Sequence, residues 1–382
     1  MPGAIIDAAA FTRDHDESCD FCVVGSGAGG SIAAATLAQA GAKVVVLEEG
    51  GHHTRRSFNM QESWAYPTLY QDHGQRTTDD LSILLLQGRA VGGSTTVNWG
   101  SSFRVPASTL TLWSERFGVA ALELDPHYDA IEERLHVTPE PEEAINRNNR
   151  HLLEGCRKLG FEAELIRRSV KGCARLGYCG MGCPLDAKQS ALVTYVPDAL
   201  AAGARFLTGC RVTRVATERD RATAVEADVL DPSNDRPKGP RVTVRPKRGV
   251  LLAAGALNTP ALLLRSGLDG GGGVGRRTFL HPTFPVVGVF DERVEAWSGA
   301  PQSVSSHHFA DRGDEPGYFF ETPPVHPMLA AVALPGFGKD ARTIAERLPY
   351  LQSTIALVID GHKDDVGGRV TLGRGGRMRF SY

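Results

Sequence analysis

Residues 20–50, DFCVVGSGAGGSIAAATLAQAGAKVVVLEEG, decide the fold. Residues 20–24 form a short apolar run, GSGAGG at 25–30 is a glycine turn, and the small residues that follow read as a helix stopped at Gly41. A second apolar run opens residues 43–50, which gives strand, turn, helix, strand. Gly25 permits the tight turn, Gly27 lets backbone approach a pyrophosphate, and Gly30 allows the helix to pack closely on the strand. The helix amino terminus then turns its unpaired N–H groups and positive dipole end toward the phosphates. Alanines 33, 34 and 35 keep that helix thin enough to lie near the sheet. Glu48 stands 18 residues beyond Gly30, close to the roughly 20 expected of a carboxylate that accepts ribose hydroxyls. It is a better candidate than Glu49. These residues do not separate NAD from FAD.

The rest of the composition is consistent with such a fold. The chain has 382 residues, 42 Lys plus Arg against 44 Asp plus Glu, and a formal charge of −2. That balance excludes a nucleic-acid binder dependent on a basic surface. With 42% apolar and 23% charged residues the chain can bury a sizeable core, and its length suits two domains or one large α/β domain with an insertion. The 43 glycines are about 11% of the chain, above the roughly 7% of an average protein. No run approaches the ~18 apolar residues of a membrane span, and the first twenty residues lack the basic start of a secretory signal. A soluble, cytoplasmic protein without a membrane span is expected. Seven cysteines, an odd number in a long chain, suggest reduced thiols or a metal centre in place of a disulfide framework. Cys19 and Cys22 form a CxxC, but Cys22 falls in the first strand and reads as a buried thiol.

Two further glycine segments narrow the ligand. QGRAVGGSTTVNWGSSFR, residues 87–104, sets paired glycines beside Ser94, Thr95 and Asn98, which suits backbone laid against a flat ligand. VLLAAGALNTPALLLRSGLD, residues 250–269, reads as a buried strand, a small-residue turn, and a helix begun near Asn258 and Thr259 and stopped at Gly267.

With these motifs the chain resembles the glucose-methanol-choline family of FAD-dependent oxidoreductases. The fingerprint ending in LEEG, the GRAVGGSTTVN block, GALNTPALLLRSG and the weaker VGRRTFLHP carry the likeness. The resemblance implies an α/β fold, with a Rossmann-like FAD/NAD(P)-binding domain interleaved with an α+β substrate domain on an antiparallel sheet. It implies oxidation of the CH–OH group of a small-molecule alcohol by hydride transfer to flavin N5. The electron acceptor, whether oxygen, a quinone or a cytochrome, is left open. Gly25, Gly27, Ala28 and Gly30 would hold the FAD pyrophosphate and Glu48 the adenosine ribose. Arg89, Gly92, Gly93, Ser94 and Asn98 would line the phosphates and the isoalloxazine edge, Val212 would offer backbone to the adenine, and Ala254 with Gly255 would pass near the dinucleotide. Some members attach FAD through a His at the place of Val97, so noncovalent FAD is expected here.

Cys173, Cys179 and Cys183 are spaced C-x5-C-x3-C and followed by Pro184. Spacing and count do not fit a four-ligand zinc site. The run is similar to that of cluster-bearing bacterial sugar dehydrogenases in the family, whereas the continuation AKQS…TYVPDA is closer to the long-chain alcohol oxidase branch. A structural cysteine turn is the favoured reading and an iron–sulfur cluster the lesser one.

Alcohol oxidation needs a base for the hydroxyl proton, usually a His. None of the 12 histidines sits in a motif that marks it; His281 reads as a structural turn, and His52, His53, His307 and His308 as loop residues. The family draws its catalytic His and a His or Asn partner from a carboxy-terminal segment. This chain shows no His-x-x-Gly-Thr stretch after GGRVTLGRGGRMRFSY, so the catalytic end is expected to be absent. The alternative function is therefore a truncated or split flavin-binding fragment, inactive alone, with a second chain supplying that segment. The expected organisation is an FAD domain in two parts, 1–104 and 191–285, a cap insertion at 105–190, and a partial substrate sheet at 286–382.

Overall fold

Val44–Leu47, four buried aliphatic residues, can only be a central strand covered on both faces. It lies in a seven-stranded sheet ordered Ala4–Asp7, Arg205–Thr208, Val44–Leu47, His15–Val24, Pro237–Leu252, Arg221–Leu230, Cys210–Glu218. Neighbours among the first five strands pair in parallel, and the last two pairings are antiparallel. The computed structural model describes residues 3–118, 123–313, 315–333, 336–360 and 367–382.

The described chain divides into two compact units. The first comprises Met1–Val97, Ser190–Phe279 and Asp365–Tyr382, and the second Asn98–Gln189 and Leu280–Asp364. In the first, helix Ala28–Gln39 buries Gly30, Ser31, Ala34, Ala35 and Ala38, the small side chains that let it lie near the sheet. Cys19 and Cys22 are buried in the sheet core with Val24, Val45, Leu47 and Val225. Helix Gly255–Arg265 begins three residues earlier than the sequence suggests and carries Pro260 inside it. Pro260 removes one backbone donor from the helix, whose buried face is Leu257, Ala261 and Leu262. The glycine-turn pair at the end of the chain, Arg369–Leu372 with Met378–Ser381, is not part of the substrate sheet as expected. It forms its own two-stranded ladder in the first unit, where Arg265 Nη1 donates to the Gly376 carbonyl at 3.4 Å.

The second unit is built on a five-stranded antiparallel sheet, ordered Thr283–Val289, Leu351–Ile359, Gly317–Glu321, Val304–Ser306, Glu164–Leu165. Helix Arg147–Leu159 covers one face, packing Leu152, Leu153 and Cys156 against Val304 and Phe320. Asn149 fixes the helix to the sheet by accepting from the Ser303 and Val304 N–H groups at 2.8 and 3.0 Å. No helix among the described residues is long and apolar enough to cross a membrane.

Candidate functional site

Val24 is in register with Leu47 and with Leu252, and Leu47 with Leu207. The strand ends are therefore level, and the turns at 25–28, 48–50 and 253–255 emerge together, where parallel sheets bind their ligands. They border a cleft of about 700 Å³ within the first unit. Gly25, Gly27, Ala28, Glu48, Gly93, Ser94, Val212, Ala254 and Gly255 line it. Helix Ala28–Gln39 starts at this cleft from Gly27, without a side-chain cap, so the first-turn N–H groups are left for a ligand. Backbone floors the cleft: a Cβ on Gly93, whose φ is +55°, would stand 2.7 Å from Gly27 Cα.

Glu48, 6% exposed, is held by three donors. Its Oε2 accepts from Ser26 N at 2.9 Å and Ser26 Oγ at 2.7 Å, and its Oε1 from Gly50 N at 2.8 Å. Burial pushes this carboxyl up from the ordinary range, and the three donors pull it back. Ser26 Oγ in turn accepts from Gly92 N at 3.1 Å.

Four of the expected residues lie outside the cleft lining. Gly30 packs beneath it, where a Cβ would fall on the Gly25 carbonyl oxygen. Gly92 is turned to Ser26, and Arg89 pairs with Asp235 at 2.7 Å. Asn98 belongs to the second unit, where its carbonyl accepts from Lys188 Nζ at 2.8 Å. In exchange the cleft gathers residues that no motif announced. Arg76 donates to Gln87 at 2.7 Å and Asn258 at 2.9 Å, and Arg211 pairs with Glu49 at 3.0 Å. Arg265 lines the cleft with a buried Nε that has no partner, and the turn at 375–378 contributes Arg377 and Met378. Asn258 carried a signal as a helix-start residue and Arg265 stands in the same motif; Arg76 and Arg211 carried none, because Asn258 and Glu49, which they meet, are distant from them in the chain.

The cleft therefore offers a helix amino terminus, glycine backbone, a placed carboxylate and arginines, one with an unsatisfied donor. That set fits the pyrophosphate and ribose of a dinucleotide.

In the second unit the cysteine turn is tied down by hydrogen bonds. Arg168, fully buried, reaches the Trp99 carbonyl at 3.0 Å and Cys179 Sγ at 3.6 Å. Lys188 Nζ donates to the Cys179 carbonyl at 2.8 Å, and burial pushes its ammonium down to about 8. Burial raises the Cys179 thiol, opposed by Arg168 and Lys188. Among the described residues, no three or more His, Cys, Asp or Glu side chains are grouped as a metal site. His326, buried between the rings of Trp99 and Tyr178, is pushed down to about 4 by desolvation.

Residues 66–283 match the family description GMC oxidoreductase, and residues 23–66 that of an NAD(P)-binding Rossmann-like domain. An uncharacterized GMC-type oxidoreductase of Mycobacterium tuberculosis is 37% identical over 359 residues, which cover 93% of this chain and 54% of that protein. A long-chain-alcohol oxidase of Arabidopsis thaliana is 34% identical over 336 residues, 82% of this chain and 43% of its own. The crystal structure of pyridoxine 4-oxidase from Mesorbium loti superposes with a TM-score of 0.67 at 18% identity, over 95% of this chain and 75% of that one. A formate oxidase of Aspergillus oryzae, studied for its FAD modification, gives 0.66 at 14% identity, over 97% and 77%. These two likenesses concern the fold alone. The chain spans about half the length of the curated relatives it matches.

Proposed function

The chain belongs to the GMC oxidoreductase family, and on that premise we propose that it holds FAD noncovalently in the first-unit cleft and serves the oxidation of alcohols. The observation that carries this reading is the meeting of an uncapped helix start, the Gly27–Gly93 backbone approach and Glu48 in one cleft. When bound, FAD supplies a two-electron acceptor for the carbinol hydride. The chain's own residues do the holding. The N–H groups at the start of helix Ala28–Gln39 take the pyrophosphate. Glu48 Oε1, with one donor from Gly50, keeps a lone pair for a ribose hydroxyl. Of the residues that line the cleft, Val212 would offer backbone to the adenine, Gly93 and Ser94 would lie along the ring system, and Ala254 and Gly255 would border the dinucleotide. Val97, a buried aliphatic residue, offers no nucleophile for covalent attachment.

The long-chain-alcohol oxidase relative supports a long-chain alcohol, primary or secondary, as donor. A second reading is a truncated or split flavin-binding fragment, in which this chain holds the cofactor and a second polypeptide completes the catalytic centre. One experiment separates the two. The purified chain is mixed with FAD, its visible spectrum recorded, and 1-octanol added without oxygen. A protein-bound flavin spectrum that bleaches supports turnover by this chain. A bound flavin that stays yellow supports the second reading, and absence of bound flavin overturns both.

A further inference from the structure

Side chains alternate across the second unit's sheet, so the face opposite helix Arg147–Leu159 carries Ser305, Phe319, Glu321, Ile355 and Leu357. Glu321 stands in register between Ser305 on one neighbouring strand and Ile355 on the other. Its carboxyl is buried at 4% exposure, and among the described residues it has no hydrogen-bond or ion-pair partner. Ser305 is fully buried, and its Oγ also lacks a partner. A buried hydroxyl without a partner is costly, since Ser305 Oγ gave up water without a replacement, and the carboxyl on the paired position has no partner among the described residues either. Their surroundings are apolar. Phe319, two residues from Glu321 on the same face, stacks on His307 with ring centres 4.7 Å apart, and His307 meets the edge of Phe103 at 5.5 Å. Phe103 is 48% exposed, so this aromatic row leads from the surface toward the buried carboxyl.

We infer that Glu321 and Ser305 are the polar anchor for the hydroxyl group of an alcohol whose hydrocarbon part lies along Phe319 and Phe103. The inference rests on the alcohol-oxidation reading above and deepens it by naming residues of this chain that meet the donor. A carboxyl and a hydroxyl on paired positions of neighbouring strands supply one acceptor for the alcohol O–H and one donor for its oxygen. Burial pushes Glu321 up to about 7, so near neutral pH it is available in both the accepting and the donating form. Glu164, paired with Ser305 across the sheet, has its Oε1 3.4 Å from His307 Nδ1, which places one acid and one imidazole near the anchor.

The test needs no flavin. Binding of 1-hexanol and of hexyl methyl ether to the full chain is measured by ligand-observed saturation-transfer NMR. The ether keeps the hydrocarbon and lacks the O–H donor. The expected result is a preference for the alcohol of about tenfold, the worth of one hydrogen bond to a charged acceptor. Glu321→Leu should abolish that preference, and Ser305→Ala should reduce it about threefold. Leucine in place of an unpartnered buried carboxyl should not unfold the protein, and a thermal melt of each variant verifies this. Equal affinity for the two ligands, binding of neither, or a preference that survives in Glu321→Leu overturns the anchor. A missing flavin spectrum, by contrast, overturns the functional reading and leaves these NMR outcomes distinct.

Discussion

Glu48 in the first unit and Glu321 in the second are buried alike, at 6% and 4% exposure, yet Glu48 accepts three hydrogen bonds and Glu321 none among the described residues. Both carboxyls are raised by desolvation. The first is opposed by donors built into the fold, and the second is opposed by none. A satisfied buried carboxylate organises backbone; an unsatisfied one stores a demand for a partner. The contrast divides labour between the units: one presents a preassembled cradle, the other an incomplete polar pair.

The severest way to break the contrast is to remove the satisfied member. Glu48→Ala strands the Ser26 and Gly50 N–H groups and should cost about 3–5 kcal/mol in urea unfolding. A loss below 1 kcal/mol would mean that the donors find water instead. Next is the unsatisfied member, with a sign that can be worked out. Its folded value near 7 lies above the ordinary 4.5, so the folded state binds the proton more tightly. Its stabilising contribution is full below pH 4.5 and is lost as pH rises to 7, about 3 kcal/mol in all. Glu321→Gln should flatten this decline. The reading is the wild-type minus variant difference in urea stability between pH 4.5 and 8. The difference form is needed because His326, held below its ordinary 6.5, gives the opposite slope: stability present above 6.5 and lost as pH falls toward 4.

A smaller effect sharpens the cradle. Gly27 has φ near −67°, and a Cβ there meets only Gly93 Cα, at 3.7 Å. Gly27→Ala should leave the melting temperature unchanged and weaken FAD binding about tenfold by intruding on the cleft, checked by flavin fluorescence titration. Unchanged affinity would remove Gly27 from the cofactor contacts. Smallest is Ser305→Ala, which removes a hydroxyl that satisfies nothing in the free protein and should alter stability by less than about 0.5 kcal/mol. A larger loss would show that the hydroxyl has a partner after all.

These two carboxyls also measure how far the chain could be read unaided. The place of Glu48 was legible because it depends on neighbours close in sequence: an apolar run before it, a glycine turn upstream, and the spacing between them. Helix Ala28–Gln39 and the strand at Val44–Leu47 followed from the same local periodicities. Glu321 was not legible. In GYFFE it reads as an ordinary strand-end acid, and its burial depends on Ser305 and Ile355 from other strands. Strand Ala4–Asp7 is too short to declare itself, and only Arg205–Thr208 makes it part of a sheet. Likewise the turn at 375–378 shows a hairpin in its residues but not the unit that it joins, because glycine and arginine carry no address.

The pairing of Ala4–Asp7 with Arg205–Thr208 has a consequence for how the protein is made. Translation delivers roughly 5–20 residues per second, so the first strand emerges from the ribosome about 10–40 s before its partner exists. Through that interval it is an unpaired edge, open to wrong pairing with other nascent chains. The cleft rim at 375–378 arrives later still. The cleft lining is thus complete only once residues 375–378 have been made, long after the first strand.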